Sequence, residues 1–143
     1  MISTVRRIAF ATLLAAGLPA AAQTVQRVNP QHLYDYWILL NQTVDIDVPN
    51  SARGTHQTGC AAVSYMIGSD GVPRDLKVEK VVPEADFGTI ALSAVSNFRY
   101  GPSLANRSSE PVATYYVVPF NAPSDKAGQQ KVMAPCQLPG YAD

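Results

Sequence analysis

The chain has little of what marks most catalytic or nucleic-acid-binding proteins. Its 143 residues include two histidines, two cysteines and one tryptophan. His32 and His56 stand in no HExxH, HxH or G-x-S-x-G context, which excludes the common zinc-hydrolase and serine-hydrolase motifs. No glycine-rich loop precedes a helix-like run, as a phosphate site requires, and the carboxylates are scattered with no evident acid–base pair. Asp45 and Asp47 are too few for a calcium loop. Lys and Arg number 11 against 11 Asp and Glu, so bulk charge offers nucleic acid no attraction. The expectation is a protein that is not an enzyme, with no catalytic residue, cofactor or metal ligand.

What is present starts at the N-terminus. Arg6-Arg7, the apolar run Ile8 to Leu18, Pro19 and Ala20-Ala21-Ala22 have the layout of a secretory peptide. It is predicted over 1–22, with the cut before Gln23. An uncleaved membrane anchor is the rival reading, although Ile8 to Ala22 falls short of the ~20 residues a spanning helix needs. Cleavage removes Arg6 and Arg7, leaving 9 (11 − 2) basic residues against 11 acidic ones on 121 (143 − 22) residues. That length suits a single domain. Cys60 and Cys136 both remain, and in an exported chain they are expected to pair. Free thiols or a metal site are the alternatives, the latter poorly served without a histidine pair.

Asn29-Pro30 reads as a helix start, and Leu33, Tyr36, Trp37 and Leu40 follow at helical spacing. An amphipathic helix is therefore predicted over 30–41, with Trp37 in the core; stacking on a ligand is its other reading. Cys60 to Ile67 alternates as a strand, Gly68-Ser69-Asp70-Gly71 is turn chemistry, and Leu76, Val78 and Val81 continue a second strand. Asp86 is placed as the cap of a helix carrying Phe87, Ile90, Ala91, Ala94, Val95 and Phe98, and Gly101-Pro102 as its stop. Pro111 to Phe120 is the third strand, with Pro119 at an edge or bulge because it cannot donate to a ladder. The fold class expected is α+β: two helices packed on one face of a small three-stranded antiparallel sheet.

Several of these positions fall in a fixed order. Pro49, Ala52 and Gly59 precede the first strand, Asp70-Gly71 closes it, and FGTIALSAVSNFRYGP runs from Phe87 to Pro102. In that segment Ala91, Leu92, Ala94, Val95, Phe98, Tyr100 and Pro102 sit in register, and a V-x-x-P-F-type run ends at Phe120. The series resembles the C-terminal domain of TonB, the periplasmic end of a bacterial energy transducer. Together with the signal peptide (1–22) and the expected disulfide, it gives an N-terminal helix and linker (23–46), a TonB C-terminal-like domain (47–122) and a polar tail (123–143) tied back by that bridge. Three departures stand out. The domain is expected to follow the export peptide with no Pro-rich spacer, Val81-Val82-Pro83 replaces a usual Ser-Ser-Gly, and both cysteines fall outside the pattern. Cys60 shares the parity of Ala62 and Ser64, so a bridge to Cys136 would draw the tail across the face away from the core, or along a strand edge.

The resemblance implies a binding module that adds a short extended segment of a protein or peptide partner, such as an outer-membrane receptor, to its sheet. The edge expected is the third strand, at Val112, Thr114, Tyr115, Tyr116 and Val118. Tyr115 and Tyr116 are its candidate side-chain contacts; the other reading is that they are ordinary strand residues. The expected location is periplasmic or secreted, with no nucleic acid bound and membrane association only if the signal segment is retained. The alternatives are a membrane-anchored energy transducer and a structural envelope protein without a transport role.

Overall fold

The computed structural model describes residues 24–41, 43–53, 56–83 and 86–142. The signal peptide expected over 1–22 and its cleavage point before Gln23 lie outside these residues. Six strands are present: β1 (Gln26–Arg27), β2 (Trp37–Leu39), β3 (Gly59–Ile67), β4 (Pro73–Val82), β5 (Tyr100–Pro102) and β6 (Val112–Phe120). Two α-helices, α1 (Phe87–Ser96) and α2 (Lys126–Met133), join them, with short 3-10 turns at Pro30–Asp35, Asn50–Ala52 and Ala134–Cys136.

The three-stranded antiparallel sheet forms the centre of something larger. The main sheet has four strands in the order β1-β6-β3-β4, and β1 runs parallel to β6, so the sheet is mixed. A separate antiparallel ribbon pairs β2 with β5. The helix expected over 30–41 is corrected: a 3-10 turn ends at Asp35 and the chain extends into β2. Tertiary contacts override the helical spacing. Leu33 and Trp37 are both buried, but the indole N–H of Trp37 donates to the Glu110 carbonyl at 3.1 Å and Ile38 lies opposite Gly101 in the ribbon.

The alternation of β3 fixes both faces of the sheet. Ala61, Val63, Tyr65 and Ile67 join a core closed by Phe87, Ile90, Ala91 and Val95 of α1. Cys60 and Ala62 face the other way, into a second cluster with Tyr115, Val117 and Cys136. Every β3 residue from Gly59 to Val63 is buried, as in strands covered on both sides. The two helices therefore lie on opposite faces. The polar tail folds into α2 because Asp125 caps it, its carboxylate accepting from the Gly128 N–H at 2.7 Å.

Two glycines are demanded by geometry. At Gly59 a Cβ would strike the Val82 carbonyl and the Phe87 ring. Gly71 turns the β3–β4 hairpin with φ +77°, and its carbonyl accepts from the Tyr100 N–H at 2.9 Å. The capping role expected of Asp86 is replaced: its carboxylate accepts from the Ser51 hydroxyl and makes no bond to the helix end.

Candidate functional site

A four-stranded open sheet has two edges, and here they differ. The β4 edge is blunted by irregular register at Ala62/Val63 and Ser64/Met66, by Asp75 in a left-handed conformation, and by charge. Arg74 pairs with Asp70 at 2.6 Å and Lys77 with Glu79 at 3.2 Å. A hydrogen bond from the Ser64 hydroxyl, then Lys77, holds the Glu79 carboxyl below its ordinary value. Those groups suit an edge kept in water.

The β6 edge is unbroken. Its inner side pairs with β3 from Gly59↔Phe120 to Ile67↔Val112 with no irregularity. On the outer side β1 covers only the start: Gln26 lies opposite Val112, Arg27 opposite Ala113, and the Val28 N–H donates to the Ala113 carbonyl at 2.8 Å. The Thr114 hydroxyl donates to the Val28 carbonyl, also at 2.8 Å. Asn29 accepts from the Gln31 N–H, Pro30 opens the 3-10 turn, and the chain leaves the sheet.

Because the Ala113 carbonyl faces outward, the alternation of antiparallel pairing aims the outer groups of β6 residue by residue. Val112, Thr114, Tyr116 and Val118 direct their main chain toward β3. Tyr115 and Val117 direct theirs outward, and Pro119 its carbonyl. Among the described residues, no hydrogen bond reaches those outward groups. Pro119 sits where no N–H is required of the strand, which explains how a proline is tolerated there.

The five expected edge residues are thus distributed differently from a simple contact list. Tyr115 can offer main chain only: the residue is 2% exposed, its ring is tilted against Tyr141 at 4.7 Å, and its hydroxyl donates to Gln137 at 2.8 Å. Tyr116 is 37% exposed and meets Phe98 edge-on at 5.0 Å, so it presents a ring to the edge. Val112 and Thr114 are buried, and Val118 packs against the α1 core. Val117 and Pro119 complete the open row; neither is among the five expected contacts, although Pro119 is expected at an edge or bulge. The parity signal existed, since Pro119 marks which alternate positions need no inner partner.

Within this stretch Tyr116 and Val117 line a groove of about 570 Å³, together with Asn29–Gln31 from the N-terminal segment and Gln130, Met133, Ala134 and Gln137 from the tail. The expected disulfide forms, with Cys60 and Cys136 Cα atoms 6.1 Å apart, and carries the tail across the face opposite α1. At the far end Ala142 pairs with Val28, accepting from the Asn29 N–H at 2.9 Å. The tail thus covers a sheet face and braces β1, while no strand pairs with the outer side of β6 beyond Ala113. Among the described residues no group of three His, Cys, Asp or Glu could hold a metal ion, and no helix is long and apolar enough to cross a membrane.

Comparison with known proteins gives a family. The profile described as Gram-negative bacterial TonB protein C-terminal matches residues 47–121. The chain is similar to a solution NMR structure of the Pseudomonas aeruginosa TonB CTD, at 22% identity and a TM-score of 0.46, covering 63% of this chain and 90% of that one. No curated protein matches the sequence.

Proposed function

We propose, from the premise that this chain belongs to the TonB C-terminal family, that it is a protein-binding module of the bacterial periplasm. It takes an extended segment of a partner as an added strand beside β6, in the service of envelope transport. The observation that supports this most is the open row at Tyr115, Val117 and Pro119. Unpaired main-chain groups on a sheet edge are a template for another chain, and soluble proteins blunt such edges unless they use them. Here the β4 edge is blunted and this stretch is not.

The reading places the export signal at 1–22, the family domain at 47–122 and the disulfide-tied tail at 123–143. It assigns no catalysis, since the groove holds amides, a thioether and a phenol but no acid–base pair. An outer-membrane receptor segment is the partner that the family suggests.

A photoreactive residue at Gln31, on the groove wall, tests this against one at Lys80, exposed on the β4 edge. In cells that make the protein, the adduct to a second protein is expected at Gln31 and not at Lys80. Adducts at Lys80 alone would move the binding site to the other edge and defeat the proposal.

A further inference from the structure

The stretch beside β6 is a walled groove, and both walls come from outside residues 47–121, the span that matches the family. Asn29–Gln31 form one. The other is the tail, through Gln130 and Met133 on α2 and Gln137 beyond the last 3-10 turn. α2 has eight residues, none of them buried, and an isolated helix of that length is not stable in water. Its position depends on the Cys60–Cys136 bridge, on the Tyr115–Gln137 hydrogen bond and on packing of Met133, Leu138 and Tyr141 over the second core.

The groove is lined without a charged side chain. A charged group entering it would lose water and gain no counter-charge, which is unfavourable. Its shape is selective too. Strands lie about 4.8 Å apart within a sheet, so one extended chain fits beside β6, while the edge of a second folded sheet would carry further strands into the walls.

We infer that the tail, held by its disulfide, is a specificity wall: it restricts the β6 edge to an extended, uncharged segment of another protein, about five residues long. The selection would be a property of this chain, since the residues that exercise it lie outside the family's shared span. It rests on the strand-addition reading of β6.

The test uses the full exported protein and three dye-labelled, end-blocked peptides. One is Thr-Val-Thr-Val-Thr-Val, and in the others Glu or Lys replaces every Val. Fluorescence anisotropy is expected to show the neutral peptide bound about tenfold or more tighter than either charged one. In Cys60→Ser/Cys136→Ser, which frees the tail, that preference should shrink to within about threefold. Gln130→Lys, an exposed change that keeps the bridge, should raise the affinity of the Glu peptide relative to the Lys peptide. It decides the matter even if the double variant unfolds. Equal binding of all three peptides to the native protein, or a Gln130→Lys protein that does not distinguish Glu from Lys, overturns the wall while leaving strand addition intact. Failure of every peptide to bind the native protein overturns strand addition itself.

Discussion

Tyr65 and Tyr100 meet hydroxyl to hydroxyl at 2.6 Å inside the main core, with rings 6.3 Å apart. Burial pushes the Tyr65 phenol well above its ordinary value and Tyr100 up to about 12. Both therefore stay protonated in the folded protein at a pH where the unfolded chain has begun to ionise. The unfolded state binds fewer protons there, so stability falls as pH rises. The pair's contribution is whole below pH 10, the ordinary phenol value, and drains toward about 12. Urea unfolding across that window should show a falling midpoint, and Tyr65→Phe/Tyr100→Phe should flatten the fall. An unchanged slope in the double variant would mean the alkaline limb arises elsewhere.

At the scale of elements, the tail is held by the Cys60–Cys136 bridge, the Tyr115–Gln137 hydrogen bond and packing over the second core. The bridge joins residues 76 apart in sequence, and closing a loop of that size is worth about 4 kcal/mol in the chain-entropy account. Cys60→Ser/Cys136→Ser is therefore expected to lose about that much stability in urea titration. Amide protection should vanish first over Lys126–Met133 and persist in β3, whose pairing with β4 and β6 does not involve the tail. Protection lost in step across β3 and α2 would contradict a separable tail.

Elements also differ in how well the sequence announces them. The β3–β4 hairpin, α1 and β6 carry local signals: alternation, an Asp-Gly turn and a helical apolar stripe. The ribbon of β2 and β5 carries none. Gly101 and Pro102 read as a helix stop because that is their local chemistry, and only the partner strand, some sixty positions earlier, makes them β5. For the same reason Trp37 suggested a helix: its spacing from Leu33 is helical, while the bond that places it reaches Glu110. β1 is two residues long and has no pattern to detect.

Taken as a whole molecule, the family span supplies a sheet with a usable edge, and the flanking segments decide how much of that edge is free. β1 occupies it up to Ala113, Pro30 turns the chain aside, and the bridged tail stands opposite. The parity of Cys60 left the tail either the far face or a strand edge, and the bridge carries it across the far face. The division of the edge was not legible in advance, because it depends on where a parallel pairing stops, and no residue pattern encodes that. What the molecule offers a partner is an alternating row of main-chain groups, and alternation is measurable.

Native-state amide exchange followed by NMR reads that row directly. The Tyr115 and Val117 amides should exchange fast, while those of Thr114, Tyr116 and Val118, bonded to β3, exchange slowly. Protection of Tyr115 and Val117 equal to that of their neighbours would show the edge already satisfied within one molecule, and would contradict the account.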